Sequence, residues 1–391
     1  MNTIAAAAPR PVAAPMPVAA PMPRTSGAAE ASARECGTAP GPRRLSVIIA
    51  NYNYARYLAE AIESALRLDW PDVEVVVVDN ASTDNSREVI ERFGSRIRAV
   101  FHPENRGNLE SCNTGFATST GDVIYFLDAD DIVEPDMMRE VDALWTPRTS
   151  KVQFQLRIID DHGAFTGRVY PQYEVALTPQ DLQQMACTIG NYTCPNGPGN
   201  VYPRWYAETV FPLRPVAGPF SDSCLIGAAP FRGDVVTLPR PLARYRVHSA
   251  NNYVMKAMDA NRFASMLTTA TGMFGYSRDV AAAAGISIPP NVIDRSLHTL
   301  AVRAASLRLA PQAHPVPDDT RTRIAGLLLN SLRFAQGMRW PHKAAAVAWG
   351  LVTLIAPRRW AERLVSWRFA PATRPTVLSQ ALRATGILRG G

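Results

Sequence analysis

The chain has no CxxC pair, and its five cysteines (Cys36, Cys112, Cys187, Cys194 and Cys224) fall at irregular spacing. That excludes a zinc ribbon and a thioredoxin-like motif, and reduced thiols in a cytosolic protein are expected. No apolar run reaches the roughly 18 to 20 residues that cross a bilayer. The Ala/Pro-rich start, Met1 to about Pro42, lacks a continuous apolar segment because prolines interrupt it. It reads as a disordered extension rather than a secretory signal. No GxGxxG follows the first apolar strand, which argues against a dehydrogenase. Acidic residues are scarce at one end only. Arg323 to Gly391 holds 11 Lys/Arg against one acid, Glu362, a net +10, so the other 322 residues sum to −3. The overall charge of +7 is therefore a property of the tail and no sign of nucleic acid as a partner.

What the chain does have is a series of short apolar strands alternating with helices. Leu45–Ala50, Val73–Val78, Ile97–Phe101 and Val123–Leu127 read as strands, the second almost all valine, which crowds a helix and suits a buried pleat. Tyr57–Leu68, a segment running from Ser82-Thr83-Asp84 to about Phe93, and Leu109–Thr118 read as helices. This alternation predicts an α/β fold with a mainly parallel sheet covered by helices on both faces. Further on, Val152–Ile159 alternates like a strand, and Val235–Leu238 and Leu242–Val247 read as closing strands. Asn191–Arg204, rich in Gly, Pro and Asn, reads as a loop. Beyond Met255 the sequence is Ala/Leu/Arg-rich and helical. The expected organisation is a disordered extension over residues 1–43, a catalytic domain over 44–254, and a helical basic region over 255–391.

Polar residues gather where the strands end: Asn51-Tyr52-Asn53, then Asp79-Asn80, then Asp128-Ala129-Asp130-Asp131. Ligands of such sheets bind beyond the carboxyl ends of the strands. Three carboxylates at the mouth of a core are costly unless something positive compensates them. A divalent cation holding a phosphate-bearing substrate meets that need, since Mg²⁺ is usually bound by one or two carboxylates plus phosphate oxygens. The plain alternative is an acidic turn capping the next helix, near Glu134-Pro135-Asp136.

The segments Ser46–Asn53, Val78–Asp84, Asn105-Arg106-Gly107, Asn113-Thr114-Gly115, Gly121-Asp122 and Phe126–Asp131, in this order, resemble the inverting glycosyltransferases of family 2, which have the GT-A fold. The resemblance covers about Leu45 to Tyr253. It implies a nucleoside-diphosphate sugar donor, with Tyr52 and the Ala50 backbone along the base and Asp79 on the base or ribose. Asp128 and Asp130 would hold the ribose and a Mg²⁺ or Mn²⁺ ion on the diphosphate. His248, in Tyr245-Arg246-Val247-His248, is similar to a third metal or diphosphate contact, and Arg246 is either a phosphate partner or a salt bridge. Asn113 is either a donor ligand or a helix-surface amide. Asp222, ahead of a short helix, is the expected base that takes the acceptor proton, or else that helix's N-cap; Glu208 and Asp234 are the rivals. Two positions depart from the family's habit: Ala50 stands where Pro is frequent, and Ser221 where an acid is usual.

The function so implied is metal-dependent transfer of one sugar, with inversion, to a carbohydrate or lipid-linked acceptor, in bacterial surface-polysaccharide assembly. A nucleotidyltransferase on a related fold is the first alternative, although its glycine-rich loop is missing at Asn51–Arg56. A non-catalytic glycan-binding scaffold is the second. In the tail, Trp340, Trp349, Trp360 and Trp367 interleave with Arg358, Arg359, Arg363 and Arg368 around the apolar run Ala344–Ala356, which is too short to span. This pattern suits a peripheral contact with the cytoplasmic membrane surface or a helical subdomain packed on the catalytic core. Gln336-Gly337-Met338-Arg339-Trp340 spells the QxxRW of processive synthases, but no spanning helices accompany it, so a non-processive enzyme is expected.

Overall fold

A computed structural model describes residues 43–215, 221–248, 259, 262–370, 373–376 and 380. The expected extension over residues 1–43 lies outside them, Arg43 excepted. The chain runs β1 (Leu45–Asn51), α1 (Ala55–Leu66), β2 (Val73–Asp79), α2 (Ser86–Glu91), β3 (Arg98–Phe101), α3 (Asn108–Thr118) and β4 (Val123–Phe126). It continues through β5 (Ile132–Val133), α4 (Met137–Asp142), β6 (Thr149–Ile159), β7 (Phe165–Tyr170), α5 (Pro179–Ile189), β8 (Asn200–Pro203), α6 (Arg204–Ala207), α7 (Ser221–Arg232) and β9 (Asp234–Arg246). Five helices follow: α8 (Arg262–Ala283), α9 (Leu297–Leu309), α10 (Arg321–Ser331), α11 (Trp340–Ile355) and α12 (Arg358–Phe369).

The sheet order is β3-β2-β1-β4-β8-β6-β9-β5, with β7 on β6. β3, β2, β1 and β4 are parallel, and β6 and β9 are parallel to each other. Antiparallel β8 joins the two groups. Because β8 opposes both β4 and β6, the strands β1, β2, β4, β6 and β9 all end on one rim.

The period of two along each strand decides which face each residue covers. Val47 and Ile49 of β1, with Val75 and Val77 of β2, pack under α1 and α4. Ile48, Val76 and Val78 point the other way, into a second cluster with α5, α7 and α8. Val75–Val78 are almost fully buried, and each such valine contributes at most about 1.5–3 kcal/mol by leaving water. Gly115 lets α3 lie close on β1: a Cβ there would stand 2.4 Å from Ile48 Cγ2. The helical C-terminal region is not set apart from this core. Phe274, Ala281, Ile288 and Val292 share the second cluster with α5 and α7. Farther along, Arg303 is buried and holds Asp319 with two nitrogens and Asp294 with a third.

Two local expectations change, and one helix appears where none was read. The stretch read as a loop over Asn191–Arg204 contains β8, a fully buried inner strand of the sheet. The two closing strands are one, β9, whose Pro241 sits where the register with β6 shifts, a place where a missing N–H is tolerated. The helix Pro179–Ile189 begins with a reciprocal capping box between Thr178 and Asp181.

Candidate active site

The loops after β1 and β2 are stitched together by short polar side chains. Asn51, 1% exposed, donates through Nδ2 to Asp79 Oδ1 at 2.8 Å and to Ser82 Oγ at 3.1 Å. Ser82 donates its hydroxyl to Asp79 Oδ1 at 2.6 Å and its N–H to Oδ2 at 3.0 Å. Asn53, in the left-handed region at φ 61°, accepts from Thr83 N–H at 2.7 Å. Asp79 therefore organises this turn, and its two oxygens keep lone pairs for a further donor. Asn80, which carried no expected role of its own, accepts from Arg106 N–H at 2.9 Å and bonds Asn105 at 2.8 Å and His102 at 3.0 Å. It shapes the loop that leads into α3. The half-exposed Tyr52 ring stands free above this rim.

The acidic turn follows β4. Asp131 N–H closes it on Asp128 C=O at 3.0 Å. Asp128 is exposed, whereas Asp130 and Asp131 are buried. The end of β9 locks the turn from the side. Arg246 N–H donates to Asp131 Oδ1 at 2.8 Å, and Arg246 Nε to Asp130 C=O at 2.8 Å. The Arg246 guanidinium, 2% exposed, also reaches Glu60 at 2.5 Å and lies 4.9 Å from the Tyr57 ring centre. It is thus a structural latch and the salt bridge of the two alternatives. His248 Nε2 stands 2.8 Å from Asp130 Oδ2, its ring packed against Tyr57 and Tyr54. Asp130 and His248, 118 residues apart, meet because β4 and β9 end on the same rim.

The electrostatics mark the turn as a concentrated negative site. Burial, then Asp130 and Asp128, push the Asp131 carboxyl well above the usual carboxylate range. Burial and the charges of Asp130, Asp128 and Asp131 raise the Tyr54 phenol, and burial with the same acids raises Tyr245. Asp131 Oδ2 is buried and has no hydrogen-bond partner among the described residues. Among the described residues, no group of three or more donors stands close enough to hold an ion by itself. Oxygen donors that are few, negative and gathered at a rim fit a hard cation that takes its remaining ligands from a substrate phosphate.

Ala50 packs with Cys112, Leu213 and Cys224. Asn113 accepts from Leu213 N–H at 2.7 Å and donates to Leu213 C=O at 3.1 Å. Its amide thus clamps the segment that leads toward α7. Asp222 stands in the first turn of α7, and its side chain lies outside the described residues. Both rival bases fall on the far side. Asp234 begins β9 opposite the start of β6 and pairs with Arg148 at 3.2 Å. Glu208 follows α6, whose first N–H bonds Asp122 C=O just before β4 begins. Trp205 is on that side too, and Tyr206 is fully buried with its hydroxyl on Leu225 C=O, so neither ring faces the acidic turn.

On the other side of Asp128 opens a cavity of about 330 Å³ between α5, the 191–197 segment, α7 and α8. Among its described lining residues Asp128 alone is charged; Tyr192, Ile226, Phe231 and Phe274 make up much of the apolar wall.

The model of the family Glycosyl transferase family 2 matches residues 46–197. An uncharacterised glycosyltransferase of Nostoc sp. is 40% identical over 221 residues, which cover 55% of this chain and 68% of that protein. The chain belongs to glycosyl transferase family 2. Its α/β sheet is of the GT-A type, as the resemblance implied, and a helical region follows it, as the composition beyond Met255 predicted. Solved structures with a similar course include TarS of S. aureus, residues 1–349, in complex with UDP-GlcNAc, with TM-score 0.49 and 15% identity over 81% of this chain and 92% of that one. Another is the mannosyltransferase PcManGT from Pyrobaculum calidifontis with GDP-Man and Mn²⁺, with TM-score 0.47 and 21% identity over 85% and 86%.

Proposed function

We propose that this glycosyltransferase moves one sugar, with inversion and with Mg²⁺ or Mn²⁺, from a nucleoside-diphosphate sugar to a hydroxyl of a carbohydrate or lipid-linked acceptor. The observation that carries the reading is the turn Asp128–Asp131, a negative, part-buried site joined to His248 at the rim shared by β1, β4 and β9. Asp130 and His248 would hold the ion, with Asp128 beside them on the donor's ribose and diphosphate. Bound there, it supplies Lewis-acid stabilisation of the charge that develops on the departing diphosphate.

The chain's own residues do the rest. Ala50 and Tyr52 line the base, and Asp79 offers its remaining lone pairs to the base or ribose. Asn113 holds the Leu213 backbone beside them and completes the donor side. The acceptor enters from the cavity beyond Asp128, whose apolar wall excludes water from the reacting centre. Asp222 takes the proton of the attacking hydroxyl. The packing of Cys224 against Ala50 and Cys112 supports this assignment, because it brings the first turn of α7 to the end of β1. One displacement with one base needs no covalent intermediate, hence inversion. The setting is non-processive bacterial surface-polysaccharide assembly at the cytoplasmic face of a membrane.

Incubation with a panel of UDP-, GDP- and dTDP-sugars, Mn²⁺ and glycan acceptors, with the product read by NMR, tests this reading. It requires a glycoside of inverted anomeric configuration. A product with retained configuration, or release of pyrophosphate from a nucleoside triphosphate instead, would overturn it.

A further inference from the structure

Helix α11 is apolar on the face it shows to solvent. Its exposed residues are Trp340, Pro341, Ala344, Ala348, Val352 and Ile355, and none carries a polar side chain. From Pro341 they follow steps of three, four, four and three, a single stripe down the helix. Ile355 is 80% exposed and Val352 46%. The opposite face is buried as well, through Ala346, Val347, Gly350 and Leu354. Past its first turn, which holds half-buried His342 and Lys343, α11 has one interruption of its apolar residues, Thr353, and that is buried; a helix so apolar on its open face normally has something covering it.

Cations and indoles bracket the stripe. Arg339 is exposed just before it, next to Trp340, which is 63% exposed. After it come exposed Arg359 and Arg363, with Arg363 stacked at 5.2 Å over Trp360. Two acids stand nearby among the described residues: Glu362 is taken by Arg358 at 3.1 Å, and Glu174 accepts from Arg339 N–H at 2.7 Å and pairs with His342. The other two indoles of the region do not contribute to the stripe: Trp349 packs into the core beside Phe369, and Trp367 is half-buried.

We infer that α11 and the start of α12 form a docking face for an anionic phospholipid surface, with α11 lying in the plane of the interface. Four observations fit this occupant. Exposed tryptophans at both ends match the headgroup level. Arginines at the rim meet anionic headgroups. The stripe is as long as the helix, about 24 Å at 1.5 Å per residue, yet no described helix is long and apolar enough to cross. A second copy of the chain is disfavoured, because two-fold pairing of the stripe would bring Arg359 and Arg363 of each copy toward like charges. The inference deepens the membrane setting of the proposed function. It is read without donor or acceptor, so its failure leaves the transfer chemistry standing.

The test is co-sedimentation of the full chain with phosphatidylcholine vesicles, with and without phosphatidylglycerol. Binding is expected on the phosphatidylglycerol vesicles and should weaken as salt rises. Val352→Ser with Ile355→Ser should lower partitioning roughly tenfold. Arg359→Gln with Arg363→Gln should lower it roughly tenfold on anionic vesicles alone. Brominated lipid should quench tryptophan emission in the wild-type chain, and less so after Trp360→Phe, a readout that does not depend on the serine variants folding. Absence of binding to anionic vesicles would overturn the inference. So would binding that neither pair of substitutions changes, or light scattering that shows a dimer which Val352→Ser with Ile355→Ser dissolves.

Discussion

Removing the side-chain amide of Asn113 separates its two roles. In the structure that amide forms a two-point clamp on Leu213, accepting at 2.7 Å and donating at 3.1 Å. Asn113→Ala deletes both clamp hydrogen bonds in a half-buried place, together with a longer one to Glu110 at 3.2 Å on its own helix. At about 0.5–1.5 kcal/mol for each net hydrogen bond, the loss is about 1–3 kcal/mol of stability. Asn113→Asp keeps the acceptor for Leu213 N–H but turns a carboxylate toward Leu213 C=O, so it should cost at least as much. Urea unfolding followed by circular dichroism reads these numbers. Calorimetric titration with the free nucleoside diphosphate reads the donor side. Because the clamp supports the segment ahead of α7, kcat should fall more than nucleotide affinity. A change in stability under about 0.5 kcal/mol, with nucleotide binding weakened tenfold or more, would show that Asn113 is a donor ligand and no clamp.

Two further substitutions follow from the same geometry. Glu134 accepts from Arg157 at 2.7 Å and from Arg244 at 2.9 and 3.0 Å. Burial raises its carboxyl, but these arginines outweigh that and hold it below its ordinary value. Its contribution is therefore present above the unfolded value near about 4.3 and lost as pH falls through the lower folded one. Glu134→Gln should cost roughly 1 kcal/mol at pH 7, allowing for the half-exposed arginines, and should flatten the acid limb of a stability–pH curve; an unchanged limb would refute the pairing. Asp234→Ala removes a carboxylate on the opposite rim whose partner, Arg148, is exposed. Transfer activity should stay within about twofold, as for an exposed ion pair, and a loss of orders of magnitude would place the base on the wrong side of the sheet.

The half of the sheet that could be read from sequence is the half whose signal is local. β1 and β2 announce themselves by runs of Val and Ile, β4 by the apolar run Val123–Leu127, and α1 by its apolar spacing, so β3-β2-β1-β4 and its helices lie within a few residues of expectation. β8 was illegible because Asn200–Pro203 is four residues beside Gly, Pro and Asn; only its place between β4 and β6 makes it a strand. Thr178-Pro179 with Asp181 carried a capping signal that could have revealed α5. The acidic turn was legible as chemistry, but its locking was not. Arg246 reads equally as a phosphate partner or a salt bridge until β9 is seen delivering it, 2% exposed, to the backbone of Asp130. Pairing Asp130 with His248 depends on a parallel register that no local pattern encodes. Glu208 and Asp234 stand on the opposite rim for the same reason, since the direction of β8 and β9 decides which rim they reach.

Asp130 and His248, with Asp128 beside them, are proposed to hold a divalent ion on the donor's diphosphate. Mn²⁺ binding by electron paramagnetic resonance, titrated with and without nucleoside diphosphate, tests it most directly. The wild-type chain should take up one ion, more tightly with the nucleotide present, and Asp130→Ala should lose it together with transfer. Uptake unchanged in Asp130→Ala, or full transfer in the presence of a chelator, would contradict the account.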